Sequence, residues 1–153
     1  MFDIYRNKRI LVTGYTGFKG SWLTLWLLNL GAEVIGYALD PKTERDNYVL
    51  CELEEKIKDY RADIRNYNKL KEVIGTEKPE IIFHLATQPL VLESYNNPLY
   101  KIETNTQGTA NILEAFRNSD SAKVMILITT DKVYQNNEWV WGYRENDRLG
   151  GKD

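Results

Sequence analysis

The segment Val12-Thr13-Gly14-Tyr15-Thr16-Gly17-Phe18-Lys19-Gly20 constrains this chain more than any other, because regularly spaced glycines follow an apolar run and precede a helical one. Lys8 to Thr13 reads as a strand, and Ser21 to Leu30 as a helix that stops at Gly31. Each glycine answers a different need. Gly14 permits a tight turn, Gly17 lets backbone amides approach a pyrophosphate with no Cβ between them, and Gly20 lets the helix pack on the strand. The helix N-terminus adds unpaired N–H groups and a partial positive charge. A turn that serves only the path of the chain is the plainer alternative. The strand before it and the helix after it favour a dinucleotide-binding site over Gly14, Tyr15, Thr16, Gly17, Phe18, Lys19 and Gly20.

A chain of 153 residues has room for one domain with a real core, and residues 1–153 are expected to form a single dinucleotide-binding domain. Its 20 Lys plus Arg nearly balance 22 Asp plus Glu, and the net charge of -2 argues against nucleic acid or an anionic membrane as partner. The partner is then a small molecule in a pocket, and no metal site is expected. Cys51 is the only cysteine, which excludes an internal disulfide and fits a reducing compartment. No basic-then-apolar leader stands before the first strand, and Trp22 to Leu30 is too short to span a bilayer, so the cytoplasm is the expected location.

Strand and helix signals alternate without internal repeats, the pattern of an α/β fold whose parallel sheet is linked by crossover helices. Strands are predicted near residues 8–13, 33–38, 58–62, 80–85 and 123–129, and helices near 18–30, 66–75 and 98–118. Residues 39–57 read as a loop with a short helix. The last strand, Val124-Met125-Ile126-Leu127-Ile128, is apolar throughout, as expected of a strand covered on both faces. Trp22, Leu23, Trp26, Leu27 and Leu30 form an apolar stripe assigned to core packing. His84, the only histidine, ends an apolar strand and reads as a packed residue with one satisfied nitrogen rather than a base.

A dinucleotide site of this kind places an acidic residue after the second strand, where it accepts hydrogen bonds from the adenosine ribose. Asp40 is the candidate, although a turn role ahead of Pro41 is the plainer reading. Lys42 and Arg45 follow closely and would tolerate a 2′-phosphate, so NAD is favoured over NADP without excluding it.

Further motifs stand downstream in order: Ala62-Asp63-Ile64-Arg65, Phe83-His84-Leu85-Ala86-Thr87-Gln88-Pro89-Leu90-Val91, Thr104-Asn105-Thr106-Gln107-Gly108-Thr109, Thr129-Thr130-Asp131-Lys132-Val133-Tyr134, and Glu138-Trp139 through Gly150-Gly151. Together with the glycine segment they resemble the extended short-chain dehydrogenase/reductases, and within them the nucleotide-sugar 4,6-dehydratases, the CDP-glucose 4,6-dehydratases above all. The resemblance implies a Rossmann-type doubly wound parallel sheet, NAD as cofactor and a nucleotide sugar, CDP-glucose, as substrate. It implies that Asp63 and Ile64 contact the adenine, that Leu85 and Ala86 lie along the nicotinamide, and that Asn105 is the asparagine of the active-site helix. Gln88 would meet the sugar or its phosphates; a solvated loop glutamine is its plainer reading. In the family's reaction a hydride leaves carbon 4, water is eliminated from carbons 5 and 6, and the hydride returns to carbon 6. Thr130 would then bind the oxygen at carbon 4 and Asp131 would protonate the departing hydroxyl. Lys132 stands where related dTDP-sugar enzymes carry a glutamate base, and an exposed Asp131–Lys132 ion pair in a turn is the alternative.

The chain also departs from the family pattern. Tyr15 replaces a histidine, Thr87 replaces an alanine, and Leu92 stands where an arginine suited to a phosphate is usual. The family continues past Gly150-Gly151-Lys152-Asp153 into a Tyr-x-x-x-Lys helix and a substrate-binding domain. The expectation is therefore an N-terminal part, truncated after the fifth strand and without a substrate domain, that does not turn over alone. Two classes stay open: an enzyme completed by a further segment, the CDP-glucose enzyme or another nucleotide-sugar dehydratase or epimerase, or a catalytically dead dinucleotide-binding or interaction module. Partners would be a further copy of this chain, a full-length relative or a complementary C-terminal fragment, because the open edge of strand 123–129 favours association.

Overall fold

The computed structural model describes residues 3–130 and 132–150. The five apolar runs form β1 (Arg9–Thr13), β2 (Glu33–Ala38), β3 (Lys58–Arg61), β4 (Ile81–His84) and β5 (Val124–Leu127), each within two residues of its predicted bounds. All neighbours pair in parallel, in the order β3-β2-β1-β4-β5, which is that of a Rossmann-type sheet. The connecting helices are α1 (Phe18–Asn29), α2 (Asn47–Leu50), α3 (Tyr67–Glu77), α4 (Val91–Asn96), α5 (Pro98–Ile102) and α6 (Gly108–Arg117). Local chemistry sets their ends. Gly31 (φ +79°) adopts the left-handed conformation that follows α1, and the Asn66 side chain caps α3 by accepting from Lys69 N–H at 3.1 Å.

Alternation along the strands builds two cores. Leu11, Ile35, Tyr37 and Ile82 face α3 and α6, where they meet Leu70, Val73, Ile74, Ile112 and Ala115. Ile10, Val12, Val34 and Ala38 face the other way, toward Leu27 of α1, Tyr48 of α2 and Leu53. Both faces of the central strands are thus covered, as a doubly wound sheet requires.

Three expectations need correction. Trp22 and Trp26 are not core residues: they are 56% and 53% exposed, and α1 buries Gly20, Ser21, Thr24 and Leu27 instead. The small residues let α1 lie close to the glycine turn, which turns the bulky face outward. β5 is not covered on both faces either. Met125 and Leu127 pack on the α3/α6 core, but Val124 and Ile128 are exposed, because β5 is an edge strand. Finally, the single helix predicted at 98–118 is α5 and α6 joined by a π turn at Glu103–Gln107.

Among the described residues no helix is long and apolar enough to cross a membrane, and no group of His, Cys, Asp or Glu is arranged to hold a metal ion.

Candidate functional site

Gly14 (φ +72°) turns the chain out of β1, donates its N–H to Tyr37 O at 2.9 Å, and accepts from Gly17 N–H at 3.1 Å. A Cβ on Gly14 would lie 2.8 Å from the backbone of Leu85 and Ala86, so the glycine turn and the segment after β4 meet backbone to backbone. A Cβ on Gly20 would collide with Gly14 O and lie 2.7 Å from Tyr15 Cα. Gly20 therefore serves the approach of α1 to the turn itself rather than to the strand. Gly17 is different: it is exposed, and a Cβ there would meet only Gly14 O, at 3.3 Å. Its outer side is open, and no side chain caps α1. The first amides of α1 are thus left to an anion. Thr16 Oγ1 donates to Leu39 O at 3.0 Å and ties the turn to the end of β2, next to the exposed Asp40. Phe18 and Lys19 are exposed at the start of α1.

Tyr15 turns its side chain inward. The fully buried ring lies under β2, where a Cβ on Gly36 would come within 2.6 Å of it, and its hydroxyl donates to Asp59. Burial, then the Asp59 hydrogen bond, pushes the Tyr15 hydroxyl pKa far up. Tyr48 also donates to Asp59, at 2.6 Å, and Arg61 pairs with the same carboxylate at 2.9 Å. Whatever Tyr15 offers a ligand is therefore backbone, not phenol.

The C-terminal strand ends line up. Thr13 is in register with His84, and His84 with Leu127. Thr13 Oγ1 accepts from the N–H groups of Leu85 and Ala86 at 3.2 Å each, which leaves its own proton for His84 Nδ1 at 2.7 Å. The His84 proton then sits on Nε2, facing Thr109 Oγ1 at 3.4 Å, and Thr109 donates to Asn105 O at 2.7 Å. Both ring nitrogens are engaged, not one, and burial lowers the His84 pKa to about 4. Asn105, on the π turn, accepts from Gln88 N–H at 2.8 Å and Thr87 Oγ1 at 2.9 Å, and donates to Gln88 O at 3.2 Å. The buried Gln88 uses its side-chain oxygen on Leu90 N–H at 2.7 Å.

On the far side of β1, Asp63 and Ile64 follow β3. Arg65 Nη2 donates to Asp63 at 2.7 Å, and this hydrogen bond holds the Asp63 carboxyl below its ordinary range. Arg65 Nη1 reaches Glu103 of the π turn at 2.8 Å. Asp63, Arg65, Asn66, Glu103 and Gln107 line a cleft of about 570 Å³. Buried Asn111 donates to the carbonyls of Ile64 at 3.0 Å and Arg65 at 2.9 Å. Beyond β5, Thr130 and Lys132 are exposed, and Lys132 N–H donates to Thr130 Oγ1 at 3.1 Å. Asp131 lies outside the described residues.

Sequence reasoning passed over Thr13, Arg65, Glu103, Thr109 and Asn111. Arg65 stands in the Ala62–Arg65 motif and Glu103 in none, and for both only their partners reveal the part they play. The spacing Tyr-x-x-x-Lys occurs at Tyr15/Lys19 and Tyr67/Lys71, where Tyr15 is buried on Asp59 and Tyr67 packs on the α3/α6 core.

The sequence profile of the family described as GDP-mannose 4,6 dehydratase matches residues 11–149. A CDP-glucose 4,6-dehydratase of Salmonella typhimurium is 47% identical over 151 residues, covering 99% of this chain and 42% of that protein. Two solved UDP-glucose 4-epimerases are each 27% identical: that of Thermus thermophilus in complex with NAD (TM-score 0.79) and that of Thermotoga maritima with UDP-glucose (TM-score 0.80). Each covers 94% of this chain, which spans 45% of theirs. The chain thus corresponds to less than half the length of these relatives, and it belongs to the GDP-mannose 4,6 dehydratase family.

Proposed function

We propose that this chain is the cofactor-binding and proton-handling part of a nucleotide-sugar 4,6-dehydratase, one dinucleotide-binding domain over residues 1–153, with NAD as cofactor and CDP-glucose as substrate. The observation that carries the reading is the meeting of three segments at strand ends held in register: the glycine turn after Thr13, the segment 85–88 after His84, and Thr130 three residues beyond Leu127. In open parallel sheets that crevice is where ligands sit.

The residues present fit NAD. Gly17 and the uncapped start of α1 form a cradle that a Cβ would fill, suited to the pyrophosphate. Asp40 would hold the adenosine ribose, Asp63 and Ile64 the adenine, and the backbone of Leu85 and Ala86 the nicotinamide. When bound, NAD supplies the acceptor for a hydride from carbon 4 of the hexose and its donor to carbon 6. The Thr130 hydroxyl, oriented by the turn that Lys132 N–H closes on it, holds the oxygen at carbon 4. Asp131 protonates the departing hydroxyl, and Lys132 stands where a base would take the proton from carbon 5. Asn105 keeps segment 87–88 in place, so that Gln88 can meet the sugar or its phosphates. Association through the open edge of β5 belongs to the same proposal.

Titration of the 153-residue chain with NADH, followed by the coenzyme's fluorescence, is expected to saturate. Absence of saturable binding overturns the reading. The same polypeptide is expected to leave CDP-glucose unchanged, since neither Tyr-x-x-x-Lys pair among the described residues brings its tyrosine to the crevice. A 4-keto-6-deoxy sugar formed by it would show that the proton carriers are assigned wrongly.

A further inference from the structure

We propose that the loop 133–150 carries, at Trp141, a stacking platform for the nucleobase of the nucleotide-sugar substrate. The inference rests on the substrate reading above and adds to it the side chain that grips the far end of that molecule.

The loop is closed on itself. Gln135 N–H donates to Arg148 O at 2.8 Å, Gly150 N–H donates to Val133 O at 3.0 Å, and Tyr134 bridges Leu149 in antiparallel fashion. Above this base the rings of Tyr134 and Tyr143 stack 5.4 Å apart and 7° from parallel, and Trp139 leans on Tyr143 at 5.5 Å. The Tyr143 hydroxyl accepts from Asn137 N–H at 2.9 Å and donates to Asn136 Oδ1 at 3.3 Å. Asp147 closes the following turn by accepting from Arg144 N–H at 2.6 Å. A loop braced in this way loses little further freedom when a ligand settles on it.

Trp141 takes no part in that bracing. Tyr134, Tyr143 and Trp139 satisfy one another, whereas Trp141 is 75% exposed and makes no ring contact or hydrogen bond among the described residues. The space beside it is open: a Cβ on Gly142 would meet nothing within 4 Å. Residues 139–143 carry no charge, so a planar apolar ligand meets no ion to desolvate there.

Size and place select the occupant. A stable protein partner buries about 800 Å² on each side, and the exposed apolar part of this tip is Val140, Trp141 and part of Trp139. That surface is too small for a second protein and suits a single base, whose π face stacks on an aromatic ring for about 1–3 kcal/mol. Tyr134, where the stack begins, stands four residues past Thr130, and Trp139 follows within two ring contacts. A nucleotide sugar held by its hexose at the end of β5 extends its diphosphate and base along this loop. Because every base has a π face, the platform supplies affinity and not the choice of base.

The test titrates the isotope-labelled chain with CDP, UDP and inorganic pyrophosphate, read at the indole N–H resonances of its four tryptophans, with Trp141→Ala to assign the signal. CDP and UDP are expected to shift Trp141 and leave Trp22 and Trp26 in place, and pyrophosphate to move none of them. Read at the backbone signals, Trp141→Ala should weaken CDP and UDP alike by about tenfold and Trp141→Phe by less than about threefold, with NADH binding unchanged in both. A Trp141 signal unmoved by excess CDP overturns the proposal; shifts confined to other residues do so while leaving the substrate reading standing. Equal weakening of NADH in Trp141→Ala makes the loop's part structural, and a Trp141 signal that follows protein concentration instead of CDP assigns the tip to a second copy; either result overturns the proposal. Absence of NADH binding with the Trp141 shift intact strikes the cofactor reading alone.

Discussion

Thr13 and His84, the last residues of β1 and β4, are joined by a 2.7 Å hydrogen bond from the threonine hydroxyl to Nδ1, and the same hydroxyl oxygen receives the Ala86 N–H. One small side chain thus links the strand that enters the glycine turn to the segment on which the nicotinamide is proposed to rest. Thr13→Val keeps the shape and removes the hydroxyl's bonds to His84, Leu85 and Ala86, leaving the buried ring nitrogen and the Ala86 amide without that partner. We expect a loss of about 2–4 kcal/mol in urea unfolding, against less than about 1 kcal/mol for Thr13→Ser.

His84 also sets a pH response. Burial lowers its pKa to about 4 from the ordinary 6.5. Between those values the unfolded chain holds a proton that the folded chain refuses. Its contribution is therefore complete above pH 6.5 and is lost as the pH falls toward 4, by about 3 kcal/mol in all. His84→Asn should flatten this part of the stability curve by one proton's slope. An unchanged slope in the variant assigns the response to other groups.

Gly17 and Gly20 should behave oppositely although they belong to one motif. Gly17→Val places its side chain over the helix start with Gly14 O, at 3.3 Å from the new Cβ, as its one close neighbour, so it should abolish NADH binding at a stability cost of about 1 kcal/mol. Gly20→Ala forces backbone against backbone, and about 1–3 kcal/mol of stability should disappear along with binding. Calorimetry paired with NADH titration separates the two.

The exposed stripe on α1 gives a fourth expectation. Trp22→Gln should cost within about 0.5 kcal/mol, whereas Leu27→Ala, at a residue 1% exposed, should cost about 2–4 kcal/mol. Strong acrylamide quenching in the native state would agree. Protected indoles would show instead that this face is covered in solution.

The particular errors show where a sequence stops being readable. Apolar runs declare strands because both faces of β1 and β2 are buried, and Gly31 declares the end of α1 through its backbone conformation. The orientation of α1 was not legible, since Trp22 and Trp26 repeat at helical spacing whichever face is inward, and the buried face is made of Gly20, Ser21 and Thr24. Inward packing of Tyr15 depends on Gly36, 21 residues away, which leaves space for the ring. At the candidate site, motif residues such as Asn105 and Asp63 could be named in advance. The side chains that brace them could not: Arg65 reaches Glu103 across 38 residues and Thr109 faces His84 across 25, contacts that leave no periodic trace.

The π turn at Glu103–Gln107 amounts to one residue more than a continuous α-helix would hold. Each residue turns a helix by about 100°, so deleting Thr106 or Gln107 would leave α5 and α6 connected yet rotate Glu103 and Asn105 relative to the buried Ile112 and Ala115. Two loops on opposite sides of the crevice would lose their anchors together. When this chain is aligned with its relatives, a one-residue gap between Ile102 and Gly108 is therefore a rebuilt site, even where every motif letter is kept.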